Sequence, residues 1–396
     1  MAIVAPRRLK ENSGLAINGG RPGRSLPVED TGVIPEAADA VAKVVRTGHV
    51  NYWRGGPQAK LLEQRFAELI GKKGAFFHNS GSASLLTGLY SLGADENSTV
   101  AISSSGFVAS LNALYHRRSR PVFLPTCPRT LVCATDVRNW VSEPIDVLLV
   151  TQLLGNVIDI DALQESVKPQ HLHEDASQAL GSKLRGQYVG SHGEVSSFAG
   201  SNRKLLGAGH GGINVYDRED IGERMRVIGH HGKAATQFGE VPGFNFRGGE
   251  MEAILALAAL ARFEDKRQAR LDSAQAFRQP LIEAGIQLAE PPEGVDCSVV
   301  WFDTAIVLPE EWDGERDWLV NALRMEGVPG WVYPPLIEMP WVRPWMESKG
   351  WWLERENELL ERERALWNRV FVVGSQMCRE DAARCGETVA GLLAIP

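Results

Sequence analysis

The chain has 396 residues, of which 44% are hydrophobic, 23% charged and 8% aromatic, so disordered, collagen-like and disulfide-knot classes are excluded. At roughly 100–200 residues per domain, two domains are the default. The net charge of −7 gives no global attraction to nucleic acid or acidic lipid.

The N-terminus, MAIVAPRRLKENSG, lacks the long apolar run of a secretion signal. Residues 36–46 and 57–71 follow, both with the periodicity of amphipathic helices. GAFFHNSGSAS reads as a strand entering a glycine-serine turn, and ASLLTGLYSLGA continues as a helix. TVAISS (99–104), PVFLPT (121–126) and DVLLVTQL (146–153) read as strands, and HLHEDAS (171–177) as a strand that ends in charge. A glycine-rich stretch, KLLGAGHGGINVY, comes next. This alternation predicts an α/β large domain over residues 1–250 with a mostly parallel, mixed sheet. A long helical pattern over 251–285 is expected to link it to a smaller α+β domain, residues 286–396. There CSVVWFDTAIVL (297–308) and NRVFVVGS (368–375) read as strands, and ERDWLVNALRMEG, LERENELLERERALW and REDAARCGETVAGLLA as helices. The apolar run AILALAALA is too short to cross a bilayer, so no membrane partner is expected. The five cysteines form no CxxC pair and are odd in number, which reads as reduced thiols in a cytoplasmic protein. Five tryptophans, at 331, 341, 345, 351 and 352, crowd one region; packing at an interface is the favoured reading, and a substrate mouth the sharper one.

The chemistry-bearing residues begin with NSGSAS (79–84). Small residues opening a helix leave backbone N–H groups free for an anion, and the Ser82 hydroxyl adds a donor; a plain helix cap is the simpler alternative. Asp175 stands at the carboxyl end of a strand, where α/β sheets keep their ligands. Lys204 lies on the glycine-rich stretch. A phosphate cradle, an acid at a strand end and a loop lysine, in that order, suit a pyridoxal phosphate (PLP) enzyme. The lysine forms a Schiff base with the cofactor aldehyde. The aspartate keeps the pyridine nitrogen protonated. Phe107, in SGFVAS, is placed to stack on the ring. His49, Asn51, Tyr52, Trp53, His230 and His231 are candidate substrate contacts, and no histidine spacing supports a metal site.

These motifs resemble those of the DegT/DnrJ/EryC1/StrS aminotransferases, fold type I PLP enzymes. The resemblance runs from LAINGGRP (15–22) to YPPL (333–336). It implies a phosphate turn at SGSASL with Ser82 and Ala83, the stacking aromatic at Phe107, and the pyridine partner at Asp175 in EDASQALG. It also implies Gln178 at the ring hydroxyl, the Schiff-base lysine at Lys204, and Asn245 in GFNFRGGE reaching the cofactor phosphate of a neighbouring subunit. A homodimer with shared sites follows. Three positions depart from the family pattern: Ala199 stands where a phosphate-binding serine is usual, with Ser201 as a substitute, His210 replaces a glutamate, and Pro125 an acidic residue. The branch around Lys204 is similar to 3-amino-5-hydroxybenzoate synthase and the scyllo-inosose aminotransferases. The implied activity is transfer of an amino group from glutamate or glutamine to a keto-sugar or keto-cyclitol in the making of antibiotic-type secondary metabolites. The other classes are a PLP dehydratase or eliminase and a non-catalytic PLP-fold partner protein.

Overall fold

The computed structural model describes residues 5–21, 25–52, 55–233 and 239–393. Trp53, a candidate substrate contact, lies outside them. In chain order the strands are β1 (Gly74–His78), β2 (Thr99–Ser103), β3 (Arg120–Leu124), β4 (Val147–Thr151), β5 (His171–Asp175), β6 (Lys183–Leu184), β7 (Gln187–Tyr188), β8 (Val195–Ala199), β9 (Gly212–Tyr216), β10 (Cys297–Ser298), β11 (Asp303–Val307), β12 (Gly330–Trp331) and β13 (Val370–Gly374).

Seven of them form one sheet in the order β1-β9-β8-β5-β4-β2-β3. β9 runs antiparallel to both of its neighbours, and the pairings from β8 through to β3 are parallel. Helices cover both faces, which is why β4 (VLLVT) is apolar up to its closing threonine and wholly buried rather than alternating. On one face the helices Gly81–Ser91 and Val108–Arg117 bury Leu85, Leu89, Leu111 and Leu114 against Ile102 and Phe123. On the other, Pro57–Ile70 and Glu250–Ala261 set Leu62, Phe66 and Ala253 against Leu148 and Val150. This is the architecture of fold type I, as expected.

The expected linking helix is two helices, Glu250–Ala261 and Phe263–Glu283, broken at Arg262, whose backbone leaves the helical region. The first is apolar almost all round, with Ala253, Ile254, Ala256 and Ala259 buried. The second starts afresh on Glu264 and Asp265, acids that suit a helix N-terminus, with Arg262 paired to Asp265 at 2.7 Å. The expected strand 297–308 is likewise divided. Its first residues, β10, join the β6–β7 ribbon, and its last, β11, join β13 and β12 in a three-stranded antiparallel sheet. Between them the backbone passes over Gly155 so closely that a Cβ there would strike the Val300 carbonyl. That crossing ends one ladder before the next begins.

We propose keeping the expected division near residues 250 and 285, with two exchanges across it. Leu9 and Leu15 of the N-terminal segment are buried in the core of the small sheet. Leu336, Ile337, Val342, Met346, Leu359 and Leu360 are buried in the core of the large one. The tryptophans separate: Trp341 and Trp345 pack edge-on against Tyr115 and Trp351 edge-on against Trp345, while Trp331 turns toward the loop that carries Lys204.

Candidate active site

The site lies at the carboxyl edge of the parallel strands, where β5 delivers Asp175. That residue is buried, and its position opposite Thr151 is fixed by the β4–β5 ladder. One carboxylate oxygen accepts from the Ser110 hydroxyl at 2.7 Å, the other from the Ser177 backbone N–H at 3.1 Å. Ser110 sits in the first turn of the helix that Phe107 caps, so one helix start holds both the acid's partner and the aromatic. Phe107 is 50% exposed, an open ring face beside a buried acid. The neighbouring Glu174 is structural: Gln152 and the backbone of His192 and Gly193 take up its oxygens.

The SGSASL turn is a capped helix start. Ser80 is the N-cap in extended conformation, and its hydroxyl accepts from Ala83 N–H at 3.1 Å. Ala83 therefore spends its N–H on the cap. The first N–H groups, of Gly81 and Ser82, point out of the helix start as an anion cradle, and Ser82 is exposed. Ala199 lies against this cradle: a Cβ on Gly81 would come within 2.9 Å of the Ala199 methyl. The residue that replaces the usual serine thus faces the turn and brings no hydroxyl. Ser201 instead closes the turn before Lys204, its carbonyl accepting from Lys204 N–H at 3.2 Å. His210 is exposed between Gly209 and Gly211, both with positive φ. The loop is pinned back regardless, by Gly200 N–H to the Gly211 carbonyl at 2.9 Å and Ala208 N–H to the Gly200 carbonyl at 2.8 Å.

Lys204 is half-buried, and its Nζ stands 3.8 Å from the centre of the Phe302 ring. Burial pushes the amine down to about 8; Asp303 and Asp175 draw it up, while Arg203 and Arg270 push it down. An amine near neutrality is suited to taking and returning a proton. Gln178 accepts from Leu154 N–H at 2.8 Å and lies 3.4 Å from the Tyr333 hydroxyl. That hydroxyl donates to Asp303 at 2.8 Å. Arg203 lies over the Trp331 ring at 4.3 Å. The sequence reading assigned no role to Phe302, Asp303, Tyr333, Arg203 or Ser110. The signal for Asp303 was present: a lone charge inside the apolar run WFDTAIV.

Asn245 is exposed on a segment docked beside the SGSASL turn, where its carbonyl accepts from the Asn79 side chain at 3.1 Å. His230 pairs with Asn245 in an isolated bridge, and His231 N–H binds the Phe244 carbonyl at 2.8 Å, so both histidines hold this segment. The 49–52 stretch runs to Glu250 instead, whose N–H donates to the Val50 carbonyl. Among the described residues there is no cluster of metal-binding side chains and no helix long and apolar enough to cross a membrane.

The residues fit PLP. The turn could hold a dianionic phosphate, the open Phe107 face a flat ring, the buried acid a ring nitrogen, and the lysine an aldehyde. Residues 34–387 match the model of the DegT/DnrJ/EryC1/StrS aminotransferase family. The chain is 26% identical over 287 residues to the GDP-perosamine synthase of Caulobacter vibrioides, covering 70% of this chain and 77% of that one. It is 29% identical over 353 residues to a putative L-glutamine:3-amino-2,3-dideoxy-scyllo-inosose aminotransferase of Micromonospora echinospora, covering 81% and 80%. The solved structure of S. venezuelae DesV in complex with a ketimine intermediate superposes with a TM-score of 0.78 at 26% identity, over 90% of this chain and 94% of that one. The chain belongs to the DegT/DnrJ/EryC1/StrS aminotransferase family and is a PLP-dependent aminotransferase of fold type I.

Proposed function

Proceeding from that membership, we propose that the enzyme moves an amino group from glutamate or glutamine to the carbonyl of a keto-sugar or keto-cyclitol in secondary metabolism. The observation that carries this is the placing of Lys204: one amine, pushed down to about 8, inside the field of Asp175 and next to an anion cradle. The relative named for glutamine and a scyllo-inosose supports the cyclitol side, and the one named for perosamine the sugar side.

Bound here, PLP supplies an electron sink for the charge left when the donor's α-proton departs. The residues named for holding it are the Gly81 and Ser82 N–H groups and the Ser82 hydroxyl for the phosphate, Phe107 for the ring face, Asp175 for the ring nitrogen and Gln178 for the ring hydroxyl. Lys204 takes the α-proton at Nζ and returns it from the same atom, general base and then general acid. Phe302 screens that amine from water on one side. Asp175 keeps its charge in place because Ser110 and Ser177 bind both oxygens. The second half-reaction runs the same proton transfers in reverse on the keto acceptor, so ping-pong kinetics follow. Asn245, exposed beside the Ser80 turn, supports a homodimer in which each subunit contributes to its partner's phosphate site. Five unpaired thiols suit a cytoplasmic enzyme.

The test is label transfer. The PLP-loaded enzyme is given α-15N-glutamine or α-15N-glutamate with a panel of keto-cyclitols and nucleotide keto-sugars. Label in a product amine is expected. Release of labelled ammonia without transfer, across the whole panel, would replace the transaminase reading with elimination.

A further inference from the structure

Lys204 has a proton to hold and move, and its buried ammonium form needs a counter-charge. Asp175 is one counter-charge, at the end of β5. A second acid lies near the same amine, one residue beyond the ring on which that amine rests. Asp303 is the first residue of β11 and follows Phe302, whose ring carries the Lys204 amine. The division of strand 297–308 brings it there. The backbone crosses Gly155, turns, and enters the small sheet with Phe302 and Asp303 at the turn.

Asp303 has no exposed surface. A buried carboxylate without partners is costly, and this one is only half served. Oδ2 accepts from the Tyr333 hydroxyl at 2.8 Å. Oδ1 has no hydrogen-bond partner among the described residues, and the nearest cationic nitrogen, Arg203 Nη2, stands 3.6 Å away. Arg203 itself is held firmly. Its backbone is in the left-handed region at φ 72°, uncommon for a residue with a side chain, and its guanidinium lies on Trp331 and binds Gln376 at 2.8 Å. Strained backbone immediately before the lysine is thus spent on fixing a cation beside Asp303. The charged groups around the amine are Asp303 from β11, Asp175 from β5, Arg203 from its own loop and Arg270 from the helix Phe263–Glu283. Around Asp303 they are Arg203, Lys204 and Arg270, with Tyr333 as the neutral donor. Glu29 faces Arg203 at 3.5 Å, and Asp30 faces Arg270 at 4.0 Å.

We propose that Asp303 is a positioning residue for Lys204, a buried counter-charge, oriented by Tyr333 and Arg203, that holds the proton on the amine between its two transfers. The inference rests on the transaminase reading for its purpose, but the electrostatic influence of Asp303 on the amine is a property of the chain. Of the two acids, Asp303 has the larger effect on the amine. Burial pushes Asp303 up to about 6, with Arg203, Tyr333 and Lys204 holding it from rising further, so above neutral pH it is charged where Lys204 titrates. Removing that negative charge makes the ammonium easier to deprotonate, and the midpoint of Lys204 falls.

The experiment compares wild type with Asp303→Asn. The full-length chain, freed of cofactor, is labelled with acetic anhydride across pH 6–10, and the peptide holding Lys204 is quantified by mass spectrometry. In parallel, the visible absorbance of the PLP-loaded enzyme is titrated. The variant is expected to label about tenfold faster at pH 7, a midpoint lower by about one unit, and the absorbance midpoint falls with it. Asp303→Glu, which restores the charge, returns both toward wild type. If Asp303→Asn does not recover a wild-type melt, Tyr333→Phe carries the test. Without the phenol donor Asp303 binds its proton more tightly, and the Lys204 midpoint falls by a smaller step. An unmoved midpoint in whichever variant folds overturns the proposal, even if the wild type transaminates. A wild type that transfers no amino group leaves this titration intact and ends the functional reading instead.

Discussion

The amine of Lys204 rests 3.8 Å from the centre of the Phe302 ring, a residue from the opposite end of the chain's fold. The ring both attracts the cation and excludes water from it. Exclusion wins, since burial is the largest cause of the amine's fall to about 8. Phe302→Ala opens that side to water, so the Lys204 midpoint should rise toward the 10.5 of a free lysine. The acid-side limb of the pH–rate profile should move up with it. The substitution also empties a buried site, at about 3–5 kcal/mol of stability. A limb that stays in place while the variant is folded would mean the ring does not shield the amine.

Lys204→Ala should lower turnover by at least about a thousandfold, because it removes the amine assigned to relay the α-proton. The visible absorbance of bound cofactor should shift away from the wild-type band. Turnover within tenfold of wild type would transfer the role to another residue.

Asp175→Asn should cut the rate by about 10²–10⁴-fold while leaving the fold intact, as the amide keeps the Ser110 contact but not the charge. Ser110→Ala tests the support. It removes a hydrogen bond to a charged group, worth about 1.5–3 kcal/mol when buried, and should reduce the rate less than the loss of the acid does. Thermal melts and steady-state rates on both variants separate these effects.

Ser80→Ala removes the cap that binds Ala83 N–H and should cost about 1 kcal/mol in urea unfolding. It also frees the helix start to fray, so PLP affinity, measured by equilibrium titration, should weaken. A normal affinity would detach the phosphate from this turn.

Acid should destabilise the protein through its buried histidines. His78 and His173 are both fully buried and pushed down to about 3 by loss of water. Unfolding returns each to the ordinary value of 6.5, so between about 6.5 and 3 the unfolded chain binds the extra proton. The stability these residues contribute is complete above about 6.5 and is lost as pH falls, at about 1.4 kcal/mol per unit for each group. Urea unfolding at pH 7 and pH 5 measures the loss, and His173→Gln should remove about half of it.

Mixing Lys204→Ala with Asn245→Ala subunits tests the shared site. Each heterodimer holds one site with neither change, so activity should recover to a fraction of wild type. No recovery with heterodimers demonstrably formed would confine Asn245 to its own subunit.

Much of the site was legible because its parts are local. A serine-glycine turn opening a helix, an acid at a strand end and a lysine before glycines are each written within a few consecutive residues, and backbone geometry carries them to the sheet's carboxyl edge. The alternation of strands and helices fixed the large sheet for the same reason. The long helix and the strand 297–308 break at their middles, where periodicity continues but the backbone turns. Arg262 and the crossing at Gly155 are set by what packs against them.

The amino-acid sequence by itself determined the fold type and singled out the lysine, the aspartate and the serine-glycine turn from which the proposed site is built, because hydrogen-bonding and chain stiffness act over short separations. Only the tertiary structure decided that Phe302 would lie under the amine, that Tyr333 and Arg203 would meet at Asp303, and that Ala199 would lie on the serine-glycine turn. Those residues meet through loop closures and the docking of one sheet on another. Such contacts are fixed by packing among distant segments, and no periodicity along the chain encodes them.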